Sequence, residues 1–220
     1  MKSKRLILSS VGIVVLALMV ILLYSFNISN TISPYPSQFP NTSLGLSSVQ
    51  SLKLSIHLNT TDLVNGQSIS VTVKEYNVLA TSITVSASNN WTIRGLSVGP
   101  CGTLNYPFGF GIAKGYFTSS NITSAKVLDL YNPGAFNCPM ILSKINSFLF
   151  QPNGDNATVY GSCNPNPCLT EAATASQSFS GYWETTPFGT TFNNFQPGVY
   201  TVIAGDEWGT TVILHFVVTS

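Results

Sequence analysis

The sequence predicts an all-β protein, an immunoglobulin-like antiparallel β-sandwich, preceded by an N-terminal transmembrane helix. Three observations predict this fold. A basic N-terminus is followed by a long uncharged apolar run, the rest of the chain alternates apolar and polar residues in short segments, and amphipathic patterns long enough for helices are missing. With 44% hydrophobic residues, the chain can form one sizeable core.

The apolar run covers residues 6–26 and is 21 residues long, directly after Lys2, Lys4 and Arg5. A helix of about 20 residues crosses the hydrocarbon core of a membrane. A cleaved secretory signal has a shorter apolar region and ends in small residues, a site that residues 22–27 lack. Residues 1–26 are therefore predicted to be a cytoplasmic basic end and an uncleaved signal anchor, with a cleaved signal as the alternative.

The charge distribution predicts the orientation of this anchor. Basic residues flank only its N-terminal side, and positive charge tends to remain in the cytoplasm. We therefore expect a single-pass protein of the cell membrane, with a cytoplasmic N-terminus and an extracellular C-terminal domain. Residues 27–48, rich in Ser, Thr and Pro, are predicted to be a stalk, and residues 49–220 the extracytoplasmic domain.

Alternation with a period of two predicts the strands of this domain. Leu52, Leu54, Ile56 and Leu58 share one face of the first strand. Asn65 and Gly66 mark the turn to the next. The segments expected to be strands are 52–58, 68–74, 83–85, 91–96, 111–118, 126–131, 147–150, 158–161, 178–183, 199–204 and 211–218, with an irregular loop over 99–111.

The last two strands form the clearest hairpin. They flank residues 205–209, a loop bounded by glycines, and Val212, Leu214, Phe216 and Val218 are expected to face the core. The turn before Tyr200 resembles the corner that precedes the penultimate strand of immunoglobulin-like modules, where the tyrosine hydroxyl makes a hydrogen bond to the backbone.

A wider resemblance covers most of residues 50–220. It is carried by SNNW at 88–91, GLSVGPCGTLNYPFG at 95–109, CNPNPC at 163–168 and PGVYTVIAGDEWGTTVILHFVV at 197–218. These segments resemble an uncharacterised family of archaeal single-pass, membrane-anchored surface proteins with an immunoglobulin-like C-terminal hairpin. The resemblance implies the fold and the location. It implies no activity and no catalytic residue.

The four cysteines are Cys101, Cys138, Cys163 and Cys168. Outside the cytoplasm an even number of cysteines predicts disulfides, with three connectivities open. The short spacing of Cys163 and Cys168 favours a local bridge, which would leave Cys101 to pair with Cys138. A zinc site with four thiolates is the alternative, although zinc ligands usually come in C-x₂₋₄-C pairs and occur where thiols stay reduced.

Charge excludes some functions. Nine basic and eight acidic residues give a net charge of +1, and without Lys2, Lys4 and Arg5 the remainder has six basic and eight acidic residues. No basic surface for nucleic acid is expected. Because the domain is rich in uncharged polar residues and poor in charge, we also hypothesise that it tolerates acid or heat.

Two catalytic interpretations are rejected. Residues 95–99 match G-x-S-x-G around Ser97, with Asp206 and His215 following in the order of α/β-hydrolases, but Pro100 and Gly102 prevent the helix that must follow the serine. A copper site needs Cys or Met near the last strands, where the sequence has neither; His57 and His215 would meet only if their strands paired. We therefore predict no catalytic, cofactor or metal residues.

Two kinds of candidate site remain. Asp206, Glu207 and Trp208, on the predicted hairpin loop, form a candidate binding tip for carbohydrate or a cation, or simply a solvated turn with the tryptophan folded back. Sequons predict N-glycosylation candidates at Asn27, Asn41, Asn59, Asn90, Asn121 and Asn156. This number of sequons is only slightly higher than the number expected by chance in a chain so rich in Asn, Ser and Thr.

The function predicted from these features is that of a non-catalytic, membrane-anchored surface protein that presents a β-sandwich for envelope structure, adhesion or ligand binding. Its expected partners are the membrane and envelope proteins or glycans, without a cofactor. One alternative is a filament subunit that donates the segment with Leu44, Leu46, Val49, Leu52 and Leu54 to a neighbour's sheet. The second is a small extracytoplasmic enzyme or metal-binding carrier.

Overall fold

Strands dominate the part of the chain that the computed structural model describes, namely residues 38–47, 49, 51–103, 106–138, 144–154, 156–162 and 167–220, without the side chains of 169–172. The strands are β1 (Thr42–Leu46), β2 (Leu52–Leu58), β3 (Asp62–Val64), β4 (Ile69–Asn77), β5 (Ile83–Ser86), β6 (Phe108–Lys114), β7 (Ile145–Phe150), β8 (Asn156–Gly161), β9 (Leu169–Ala172), β10 (Thr174–Phe179), β11 (Gly181–Thr186), β12 (Gly189–Asn194), β13 (Gly198–Asp206) and β14 (Thr211–Thr219). A short 3-10 helix spans Ile122–Ser124. The predicted all-β class is confirmed.

The strands form three four-stranded sheets and one hairpin. The sheet orders are β1-β2-β4-β10, β3-β14-β13-β6 and β5-β7-β8-β9, and β11 pairs with β12. Pairing is antiparallel except between β3 and β14, which run parallel. Thus β1 and β2, which the filament alternative assigns to a neighbour's sheet, pair within their own chain.

One hydrophobic cluster joins the sheets. The alternating residues of β2 and the predicted inner face of β14 are all buried in it: Leu52, Leu54, Ile56, Leu58, Val212, Leu214, Phe216 and Val218. Residues of the third sheet, including Phe148 and Phe150, belong to the same cluster. Since burial of apolar area is the main favourable contribution to folding, this shared cluster holds the sheets together.

Tyr200 makes the corner hydrogen bond that the sequence predicts. Its hydroxyl donates to the carbonyl oxygen of Gln196 at 3.0 Å, across the turn that leads into β13. The ring is fully buried and stacks on Phe216 at a centroid distance of 5.1 Å. The turn and the core are therefore connected through one side chain.

Removing this hydroxyl should weaken the fold by a small, measurable amount. We expect Tyr200→Phe to lower the free energy of unfolding by about 1 kcal/mol, the usual net value of one hydrogen bond, while the ring packing is kept. Denaturant titration measures the change. Tyr76→Phe, at a half-buried position of β4, is the matched control and should cost less. Equal losses in the two variants would argue against a special role of the corner.

Several predicted segments are corrected. Residues 91–96 form bends instead of a strand, because Ile93 and Leu96 are buried in a second, smaller cluster without pairing to a neighbour. Residues 126–131 make only isolated bridges. The predicted strand 178–183 is divided at Ser180 between β10 and β11, and β6 begins inside the predicted loop over 99–111.

The N-terminal predictions fall mostly outside the described residues. This applies to the anchor at residues 1–26 and to residues 27–37 of the stalk. Residues 42–46, also assigned to the stalk, form β1 and pair with β2, so the sheet begins before residue 49. In the described part of the chain, no helix has the length and apolar character needed to span a membrane.

Candidate functional site

The end of β13 and the first residues of the loop that follows it are buried. Asp206 is fully buried, Glu207 is 5% exposed and Trp208 is 8% exposed. These residues therefore do not form an exposed binding tip, and the two carboxyl groups are not part of a solvated turn. Trp208 is folded back, as the alternative interpretation of this loop expected.

Asp206 fixes the shape of the loop. Its Oδ1 accepts hydrogen bonds from the backbone N–H groups of Trp208 at 3.1 Å and Thr210 at 2.7 Å. Its Oδ2 accepts one from the hydroxyl of Ser47 at 2.7 Å. Ser47 directly follows β1, so this contact attaches the N-terminal strand to the loop. A buried carboxyl group needs such donors because burial removes its hydration.

Glu207 connects the loop to two other segments. Its backbone N–H donates to the carbonyl oxygen of Pro107 at 2.9 Å, and its own carbonyl oxygen accepts from the N–H of Asn90 at 2.7 Å. Its side-chain Oε1 accepts from the N–H of Ser88 at 2.9 Å. The segments before β6 and after β5 are thus held against the same residue.

Trp208 completes the connection to the third sheet. Its indole Nε1 donates to the carbonyl oxygen of Ser86 at 2.9 Å. The ring contacts Phe148 and Phe150 at centroid distances of 5.9 and 6.3 Å. Next to it, the hydroxyl of Thr92 donates to the carbonyl oxygen of Gly209 at 2.8 Å. This loop therefore contacts both the end of β5 and the irregular segment 87–92.

Glu75 is a third buried carboxyl group nearby. It lies on β4, in phase with Ile69, Val71 and Val73, and is fully buried. Within the described part of the chain, neither of its carboxyl oxygens has a hydrogen-bond partner. Burial, and secondarily the charge of Asp206, raises the pKa of Glu75 well above its ordinary value. Its surroundings therefore favour the neutral form of this carboxyl group.

Glu207 also lines a surface pocket of about 530 Å³. The pKa of Glu207 is raised to about 7, mainly by burial; the hydrogen bond from Ser88 lowers it and the charge of Asp206 raises it, each by less than burial does. A carboxyl group with a pKa near neutrality in a concave site is a typical mark of a functional site. The other lining residues are Ala87, Asn89, Trp91, Leu96, Cys101, Gly102, Thr103, Tyr106, Lys144, Ile145 and Phe148.

A second pocket of about 250 Å³ shares Trp91, Leu96 and Thr103 with the first. We call the two pockets together the Glu207 groove. The disulfide between Cys101 and Cys138, with a Cα–Cα distance of 5.3 Å, lies in its wall and fixes the loop that carries Thr103. The groove is thus built mainly from irregular segments connected by covalent and hydrogen bonds, with β7 contributing Ile145 and Phe148.

The predicted pairing of Cys101 with Cys138 is confirmed. Cys168 is also disulfide-bonded, while Cys163 lies outside the described residues. The glycosylation candidates Asn41, Asn59, Asn90, Asn121 and Asn156 are all exposed, and Asn27 lies outside the described residues. Modification of these asparagines stays a prediction.

The residues of the rejected catalytic motifs are not brought together. Ser97 pairs with Phe110 through the backbone, and Asp206 bonds to Ser47 and its own loop. His215 Nε2 lies 2.8 Å from the carbonyl oxygen of Phe117, whereas His57 Nδ1 lies 3.0 Å from the hydroxyl of Thr42. Among the described residues, no three His, Cys, Asp or Glu side chains are grouped as metal ligands.

Comparison of the chain with protein-family models, with curated proteins and with solved structures finds no match. The resemblance to archaeal surface proteins therefore stays a prediction. The groove was not predicted from the sequence, but Glu75 could have been. The alternation of β4, continued for one more step beyond Val73, places Glu75 on the core face.

Proposed function

We propose that the chain is a non-catalytic, single-pass membrane protein whose β-rich part is displayed outside the cell. In this proposal residues 1–26 anchor it, with the N-terminus in the cytoplasm. The domain serves envelope structure, adhesion or ligand binding. Its partners are the membrane and envelope proteins or glycans.

The observation that carries the proposal is the disulfide between Cys101 and Cys138. Structural disulfides persist in oxidising compartments and are rare in the cytoplasm. Cys168 is disulfide-bonded as well, and none of the cysteines in the described residues is a free thiol. The basic cluster followed by an apolar run explains how such a domain would reach the outside while staying attached.

We also propose that the domain is an immunoglobulin-like sandwich. Two features support this. The sheets β1-β2-β4-β10 and β3-β14-β13-β6 contribute to one hydrophobic cluster, and Tyr200 bonds back across the turn before the penultimate strand. Both are typical of immunoglobulin-like modules, in which two antiparallel sheets pack over a common core. The parallel pairing of β3 with β14 is a difference from a purely antiparallel sandwich.

The mature N-terminus tests the anchor. We expect the full-length protein to remain in the membrane fraction after an alkaline wash that releases a peripheral marker protein. Mass spectrometry should then find an N-terminal peptide that begins at Met1 or Lys2. A mature chain that begins near residue 25 would contradict the anchor and favour secretion or filament assembly.

A further inference from the structure

We infer that the Glu207 groove binds a neutral saccharide chain. This inference builds on the proposed extracytoplasmic location, where the glycans of the cell envelope are the available saccharides. The proposed site does not include Asp206 and Trp208, whose side chains are buried. The inference rests on the shape of the groove, on its chemistry and on the way in which its walls are fixed.

The shape fits a chain better than a small ion. The larger pocket has a volume of about 530 Å³, within the range of about 300 to 1,000 Å³ that is common for organic ligands. The second pocket, of about 250 Å³, shares Trp91 with it. A ligand of several connected units could therefore contact Trp91 from both pockets.

The chemistry of the lining fits a neutral polyol. Trp91 and Tyr106 offer aromatic surfaces, on which the C–H faces of a sugar ring can pack. The amide of Asn89, the hydroxyl of Thr103 and the carboxyl group of Glu207 supply both donors and acceptors for sugar hydroxyl groups. A ligand that combines apolar faces with hydroxyl groups satisfies both kinds of surface.

Charged ligands are opposed in part of the groove. Lys144 in the first pocket and Arg94 in the second disfavour a cation, and the carboxyl group of Glu207, when it is ionised, disfavours an anion next to it. Since burial raises the pKa of Glu207 to about 7, its carboxyl group can donate a hydrogen bond below that pH and accept above it. A sugar hydroxyl group matches either state, whereas a single charge does not.

The walls are preorganised for binding. Glu207 is held by hydrogen bonds to Pro107, Asn90 and Ser88, and the disulfide at Cys101 fixes the loop that carries Thr103. A site whose walls are already ordered loses less conformational entropy when a ligand binds. Asn89 contributes a backbone φ of 55°, a left-handed conformation that asparagine adopts more readily than most residues.

The test is a titration of the full-length protein in a detergent without a sugar head group. The probes are linear hexasaccharides of glucose, mannose and N-acetylglucosamine, with tetramethylammonium and inorganic phosphate as charged controls. Calorimetry or tryptophan fluorescence should detect at least one saccharide with a Kd on the order of 1 mM or below. Neither charged control should bind in the groove.

Variants identify the site. Trp91→Ala should raise the Kd about tenfold through the loss of an aromatic face. Asn89→Gly removes the amide, tolerates the positive φ and should raise the Kd about fivefold. Trp183→Ala, on β11, is the matched control and should leave the Kd unchanged. If thermal unfolding shows that Trp91→Ala does not fold, the Kd of Asn89→Gly decides whether the saccharide binds in the groove.

Three results would overturn the inference. The first is that no saccharide binds at concentrations up to about 10 mM. The second is that a saccharide binds but neither groove variant weakens its binding. The third is that a charged control binds in a way that depends on Trp91 while no saccharide binds. An extracytoplasmic domain that fails to bind saccharides would overturn this inference alone. A cytoplasmic domain would instead overturn the proposed function.

Discussion

The protein should be more stable in mild acid than above neutral pH. Glu207 has a folded-state pKa of about 7 against an ordinary value of 4.5, and the pKa of the buried Glu75 is raised well above that value. Between these pH values the folded chain binds more protons than the unfolded chain. The free energy of unfolding therefore falls as the pH rises, and the contribution is complete below about pH 4.5.

The size of this effect follows from the two groups. The shift of Glu207 alone corresponds to about 3 kcal/mol, and Glu75 adds to it. For a domain of this size we expect the Tm at about pH 5 to exceed that at about pH 8 by about 6 to 12 °C. Thermal unfolding of the full-length protein in detergent, followed by circular dichroism at a series of pH values, measures it.

Matched variants assign the effect. Glu207→Gln and Glu75→Gln should each flatten the dependence of the Tm on pH, because an amide does not titrate in this range. Glu184→Gln, at an exposed position, should leave it unchanged. A Tm that falls steeply from neutral pH towards about pH 3 would contradict both this account and the acid tolerance predicted from the composition.

Truncation of Phe216 should cause the largest loss of stability from a single substitution. Its ring is fully buried on β14, stacked on Tyr200 and in edge contact with Phe195 at a centroid distance of 5.6 Å. Phe216→Ala leaves a cavity between the sheets and should lower the free energy of unfolding by about 3 to 5 kcal/mol. Denaturant titration gives the value.

The control is the same substitution, phenylalanine to alanine, at an exposed position. Phe188 lies between β11 and β12 and is 98% exposed. Phe188→Ala should change the free energy of unfolding by less than about 0.5 kcal/mol. If Phe216→Ala cost no more than Phe188→Ala, the packing of β14 described above would be wrong.

Strands with a strict alternation could be predicted from the sequence. In β2 and β14 every second residue is apolar and buried, so local patterning and tertiary packing agree. The predictions of the C-terminal hairpin and of the core face of β14 were therefore correct. Strands β1, β3 and β12 carry little of this signal, because their side chains are mostly exposed or half-buried and their pairing depends on distant partners.

The glycines of β6 show why one boundary was wrong. The sequence FGFGIAK suggests a loop, but Gly109 and Gly111 lie in a strand where other segments approach closely. A Cβ at Gly109 would lie 2.7 Å from the methyl group of Thr103, and one at Gly111 would lie 2.5 Å from that of Val127. These glycines allow other segments to pack closely against β6, and only the tertiary structure distinguishes this role from that of a glycine in a turn.

The site was predicted in part. The sequence pointed to Asp206, Glu207 and Trp208 as an exposed tip, whereas Ser47, Ser88 and Phe148 cover them in the structure. These contacts join residues more than 50 positions apart, which local patterns cannot show. Glu207 lines a pocket together with Trp91 and Lys144, which the sequence did not connect with it.

Labelling of lysines on intact cells tests the central claim most directly. Lys114, Lys126 and Lys144 are exposed on the domain, while Lys2 and Lys4 precede the predicted anchor. With a membrane-impermeant amine reagent, we predict modification of the three domain lysines in intact cells, and of Lys2 and Lys4 only after permeabilisation. Domain lysines that react only after permeabilisation would contradict an extracytoplasmic domain and with it the proposed function.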